Sequence, residues 1–167
     1  AYAHNKNIIH SDFKPGNVFL SEDGTTKILD FGIARAAPAN TFGNVSSQQH
    51  GCDSAASQPT VSQDTDFDAG ELGALTPAYA SCEMFEGKVP HPADDVYALA
   101  VVYYQLLTGK HPFGYAAAPA ARQQELVPAS IPGLKRRRWK ALVKGLSFER
   151  ETRHQHAADS DAQHAHD

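Results

Sequence analysis

Apolar residues are distributed along this chain in several distinct textures, and each predicts its own kind of element. Near the N-terminus they come in short runs, "NVFL" (Asn17 to Leu20) and "TKILD" (Thr26 to Asp30), separated by "SEDGT". Asp-Gly between two apolar runs is a strong hairpin signal, so these stretches are expected to pair as antiparallel strands. The opening "AYAHNKN" has the character of a last helical turn. Residues 36 to 70 carry no period and are rich in Ser, Ala, Gln, Asp and Gly, which predicts a long surface loop. Further on, "DVYALAVVYYQLLTG" from Asp95 is apolar nearly all round and predicts a helix buried on every side. Asp94 and Asp95 suit the start of that helix, and Gly109 with Pro112 behind it suits the stop. Trp139, Leu142, Val143 and Leu146 recur at helical spacing and predict a shorter amphipathic helix. The end, residues 154 to 167, is polar and His-rich and reads as a frayed tail. The fold class expected is mainly α with a small β-hairpin patch.

Composition narrows this picture. At 167 residues, 41% apolar and 20% charged, the chain reads as one globular domain. A net charge of −4 argues against nucleic acid as a partner, and the run "KRRRWK" (Lys135 to Lys140) is expected to be the solvated face of the helix carrying Trp139. The two cysteines, Cys52 and Cys82, make no disulfide framework, which points to a reducing, cytoplasmic setting, and Cys82 is expected to be inert. No membrane segment or signal peptide is expected within these residues. The pairs His154/His156 and His164/His166 have metal-like spacing, but a tail without a metal is the expectation.

Candidate chemistry concentrates in "IIHSDFKPGNVFL", Ile8 to Leu20. If Asp23-Gly24 forms a two-residue turn, Glu22 pairs with Thr25, and counting back along both strands sets Asn17 opposite Asp30. An amide oxygen beside a carboxylate is a hard donor pair suited to Mg²⁺, which usually also keeps water and substrate phosphates. Asp12 and Lys14 precede Asn17 on the loop entering the same strand. A carboxylate, a cation and a metal pair converging on one spot is what phosphoryl transfer requires. His10 is expected to pack rather than act as a base.

With these residues in place, the chain resembles the C-terminal lobe of a serine/threonine protein kinase of the bacterial Hanks type, over residues 1 to 153. "HSDFKPGN" resembles the catalytic loop. The resemblance implies Asp12 as base, Lys14 at the γ-phosphate and Asn17 on Mg²⁺. "DFG" at Asp30 resembles the metal-binding triplet, and Phe19 is implied beneath the adenine ring of ATP. "LTPAYASCE" resembles the end of an activation segment, with Thr76 in the substrate-binding turn and Glu83 at the family's Ala-Pro-Glu carboxylate. "DDVYALA" is similar to the central helix anchored at Asp95, and "LSFERETR" to the late motif whose arginine, Arg153, pairs with the glutamate. The resemblance implies transfer of the ATP γ-phosphate to a protein Ser or Thr, the lysine at position 14 favouring this class over tyrosine kinases.

The sequence departs from the family pattern in several places. Ser11 replaces the usual arginine, which implies that the group receiving an activation-loop phosphate is missing, while catalysis is spared. The loop residues from Thr41 to Thr65 include serines and threonines whose phosphorylation rests on family analogy alone. Cys82 replaces a proline. No glycine-rich loop, strand lysine or partner glutamate of an N-terminal lobe occurs in these residues, so the isolated chain is expected to be inactive and to need that lobe as its partner. Rival expectations are a pseudokinase-like scaffold and, less favoured, a small-molecule phosphotransferase of the aminoglycoside type.

Overall fold

The computed structural model describes residues 2–31, 35–36 and 75–155; Gly32, most of the loop from 36 to 70 including Cys52, and the tail from His156 onward lie outside the described residues. A short helix α1 (Tyr2–Asn5) leads into β1 (Ile8–Ile9), a single 3₁₀ turn (Pro15–Asn17), β2 (Val18–Leu20) and β3 (Thr26–Ile28). β4 (Arg35–Ala36) pairs antiparallel with β1, a ladder that no feature of the sequence pattern predicts. The helical part follows as α2 (Cys82–Phe85), α3 (Pro92–Thr108), α4 (Ala118–Gln123) and α5 (Arg136–Gly145), then a 3₁₀ turn (Arg150–Thr152).

The β2–β3 hairpin forms where predicted, but in a different register. Val18 faces Ile28, Phe19 faces Lys27 and Leu20 faces Thr26. Gly24 N donates to Ser21 O at 2.9 Å and Ser21 N to Thr25 O at 2.9 Å, so Glu22, Asp23 and Gly24 all belong to the loop. Gly24 takes φ +81°, the left-handed residue that closes a three-residue hairpin loop, and Asp23 Oδ1 accepts from Thr25 N at 2.9 Å. The extra loop residue slides one strand past the other. Asn17 therefore lies opposite Leu29, whose N–H donates to the Asn17 carbonyl at 2.8 Å, and the predicted Asn17–Asp30 cross-strand pair does not form.

α3 begins under a reciprocal cap: the His91 side chain accepts from Ala93 N at 3.1 Å, and the Asp94 carboxylate accepts from His91 N at 3.0 Å. It ends on Gly109 at φ +69°, as the Gly-then-Pro pattern predicted. Tyr97, Ala100, Val101 and Tyr104 pack with Leu142 of α5, Leu146 just past its end, Phe113 and Ala118 to form the main core. Ala98 and Val102 pack instead on Phe13, within the Ile8 to Leu20 stretch. The expectation of burial on every side is corrected along one stripe. Leu99, Tyr103, Leu106 and Leu107 are exposed, Leu106 at 72%, because apolar composition permits burial but does not impose it. On α5, Trp139 turns toward the core while Arg136 to Arg138 and Lys140, with Lys135 just before the helix, are exposed, as the charge pattern predicted.

Candidate active site

Asp95, at the start of α3, organises the loop that carries the candidate chemistry. Its carboxylate accepts from His10 N at 2.9 Å and from Ser11 N at 2.9 Å, and its Oδ2 lies 2.8 Å from His4 Nε2. Ser11 is buried with φ +66°, so the loop turns sharply here just before Asp12, which is half-buried. His10 Nε2 donates to Leu29 O at 3.0 Å and Nδ1 accepts from Asp12 N at 3.3 Å, so both imidazole nitrogens are occupied by backbone. Its ring packs on Phe31 at 4.7 Å, tying the loop to the residue after Asp30. This is the packing role expected of His10.

Asp12 gathers the other polar groups. Lys14 Nζ donates to Asp12 Oδ2 at 2.5 Å, the Thr76 hydroxyl donates to Asp12 Oδ1 at 2.7 Å, and Lys14 Nζ also donates to Thr76 Oγ1 at 3.1 Å. Asn17, buried at the end of the 3₁₀ turn, donates from Nδ2 to Asp12 O at 2.9 Å and to Asp12 Oδ2 at 3.4 Å. Asp12, Lys14, Asn17 and Thr76 thus form one hydrogen-bonded cluster, although Thr76 lies 64 positions from Asp12 in sequence. Within that cluster Asn17 uses its nitrogen, which leaves the amide oxygen as the atom able to meet a cation. Asp30 stands just past β3 in the left-handed region at φ +59° with an exposed carboxylate. The donor chemistry of these residues, an amide oxygen and a carboxylate, suits Mg²⁺. Phe19 lies on β2, 53% exposed and opposite Lys27.

A second polar network secures the chain behind the site. Glu83 is buried and paired with Arg153 Nη2, and its other oxygen accepts from Arg150 N at 2.8 Å. Burial pushes the Glu83 carboxyl up, but the Arg153 hydrogen bond and charge outweigh it and hold the pKa below the ordinary value. Arg150 Nη2 grips Asp94 at 2.9 Å and 3.1 Å, while the Ser81 hydroxyl donates to Asp94 at 2.9 Å. The sequence does not foretell the Arg150–Asp94 pair; its only signal there is an arginine three positions before Arg153. Cys82 is fully buried, and burial pushes its thiol up to about 11. Ser81 caps α2 in the absence of a proline at Cys82.

The protein kinase domain family model matches residues 1–147. The chain is 32% identical over 164 residues to a probable serine/threonine-protein kinase PknB of Bifidobacterium longum, covering 95% of this chain and 20% of that protein. It is 30% identical over 164 residues to the serine/threonine-protein kinase PknB of Mycolicibacterium smegmatis, covering 95% and 23%. With the serine/threonine-protein kinase PrkC of Bacillus subtilis it shares 31% identity over 136 residues, covering 81% and 17%. The chain spans about a fifth of the length of these curated relatives.

Proposed function

Because this chain belongs to the protein kinase domain family, we propose that it forms the C-terminal lobe of a serine/threonine kinase that transfers the γ-phosphate of ATP to a protein hydroxyl. The observation that carries this reading is the Asp12 carboxylate, which accepts a hydrogen bond from the Thr76 hydroxyl at 2.7 Å while bound to the Lys14 ammonium at 2.5 Å. A carboxylate so arranged orients an attacking Ser or Thr hydroxyl and takes up its proton, the general-base role. Lys14 holds the carboxylate in place and presents positive charge where phosphate oxygens gather. Asn17 and Asp30 are the residues to hold Mg²⁺, and Phe19 the apolar surface for the adenine. When bound, Mg-ATP supplies the phosphorus to be attacked and the divalent charge that offsets its oxygens. Thr76 marks the turn along which the protein substrate lies.

The groups that clamp the α- and β-phosphates in this family are absent from these 167 residues. The polypeptide by itself is therefore expected to show no phosphate transfer above background to a generic protein substrate. Joined to a kinase N-terminal lobe it should transfer phosphate, and Asp12→Asn should then lower kcat by on the order of 10²–10⁴. A rate unchanged by that substitution would reassign the base, and turnover by the isolated 167 residues would overturn the requirement for the second lobe.

A further inference from the structure

The turn that carries Thr76 is tied to the helical body by groups on and just beyond the end of α3. His111 is buried, and its Nε2 lies 2.9 Å from the Ala78 carbonyl, so that nitrogen carries the proton and donates. Its Nδ1 accepts from Phe113 N at 3.1 Å and from Tyr115 N at 3.0 Å, closing a tight turn in which Gly114 and Tyr115 both have positive φ. One ring thus fastens two backbone segments, 33 positions apart, and can do so only as the neutral Nε2–H tautomer. The Tyr115 ring stacks on it at 4.8 Å and Tyr79 meets it edge-on at 5.8 Å. Gln105 of α3 completes the clamp, accepting from the Tyr79 hydroxyl at 3.0 Å and donating to the Tyr115 hydroxyl at 2.9 Å. The turn passes the restraint on to the site, since Tyr79 N donates to Thr76 O at 2.9 Å and Thr76 donates to Asp12.

We propose that His111 is a positioning residue for the candidate site: its neutral imidazole latches the Thr76–Tyr79 turn at the Ala78 carbonyl and so keeps the Thr76 hydroxyl on Asp12. Protonation at Nδ1 would set an N–H against the Phe113 and Tyr115 N–H groups and push the ring out of its own turn, which would carry Nε2 away from the Ala78 carbonyl and make the turn sensitive to acid. The titratable groups packed against the ring are the Tyr79 and Tyr115 phenols, from the turn and from its own loop, while α3 contributes the neutral Gln105. Lys110 is the adjacent residue in sequence and is exposed. Burial pushes the His111 pKa down, against the Ala78 hydrogen bond, which raises it. The substrate-related meaning of this latch rests on the proposed kinase reading, whereas the latch itself is measurable without any phosphate transfer.

The test is an NMR pH titration of the full chain with labelled histidine and threonine methyl groups, together with a pair of substitutions. Above the His111 pKa the ring should be the Nε2–H tautomer, and the Thr76 methyl signal should shift with the same midpoint as the ring. His111→Asn retains an acceptor where Nδ1 stood but is too short to reach Ala78, whereas His111→Gln can reach Ala78 with an amide donor. The Asn variant should displace the Thr76 signal and speed amide exchange at Tyr79 on the order of fivefold, the ratio expected from one broken hydrogen bond. The Gln variant should restore both toward wild type. An Asn variant matching wild type at Thr76 and Tyr79, or equal loosening in both variants, would overturn the latch. If the variants do not fold, the wild-type titration decides alone: a Thr76 midpoint independent of His111 overturns the proposal.

Discussion

The φ of +66° at Ser11 and the bond from its N–H to Asp95 turn the loop just before Asp12, and both are backbone features that do not require an arginine side chain. The expectation about phosphorylation concerns residues 41 to 65, which lie outside the described residues. His111 carries a testable pH dependence. Its folded pKa lies below the ordinary 6.5, so as pH falls the unfolded chain takes up the proton first. Its contribution to stability is full above about pH 6.5 and declines below it; in His111→Gln, a melting-temperature profile between pH 7 and pH 5 should lose that component. Cys82, with a thiol raised to about 11, should resist alkylation by iodoacetamide in the folded chain at neutral pH, and peptide mapping should find it modified only as the chain unfolds.

Among the elements, the packing of α5 on α3 turns on Gly145. Helix propensity alone would favour alanine there by about 1 kcal/mol. A Cβ on Gly145, however, would lie 2.9 Å from the Ala100 Cβ, and that atom is fixed to the α3 backbone with no flexible chain to give way. Overpacking costs of about 1–3 kcal/mol exceed the propensity gain, so Gly145→Ala should lower the melting temperature. A raised melting temperature would mean that the helices separate more freely than this contact implies. The hairpin teaches the converse lesson: Asp-Gly correctly marked the turn, but Glu22 joined it, and that single residue changed which side chains face each other.

For the whole molecule, polar pairs between distant segments tie the site to its support. Asp95 holds the backbone of His10 and Ser11, and Arg153 joins Glu83 across a separation of 70 positions while also donating to Ala93 O at 3.0 Å and Phe148 O at 3.1 Å. The predicted Glu83–Arg153 pair is thus present and buried. Arg153→Ala would strand Glu83 and leave those carbonyls without their donor, at a cost of about 3–5 kcal/mol for a broken buried pair. Denaturant unfolding should read that loss directly. With its folded pKa depressed, Glu83 stabilises the chain above its ordinary pKa of 4.5 and loses that contribution as pH falls below it, so the wild-type advantage over Arg153→Ala should shrink in acid. Among the described residues no helix is long and apolar enough to cross a membrane.

What the sequence determined by itself was local. Gly109 and Asp94 bounded α3 because φ preference and capping act within a few residues, and the order of "HSDFKPGN", "DFG" and "LTPAYASCE" carried the resemblance to the protein kinase family. The tertiary structure decided what lies beyond that range. It brought Thr76 to Asp12, turned Asn17 toward Asp12 and not toward a cross-strand partner, and left Leu99, Tyr103, Leu106 and Leu107 of α3 exposed. His111 gave no signal in the sequence, since a histidine in a loop is legible as a latch only once the Ala78 carbonyl stands 2.9 Å away. The physical reason is common to these cases: periodicity and turn chemistry report on neighbours along the chain, whereas a hydrogen bond across 33 or 64 positions exists only after the chain has closed on itself.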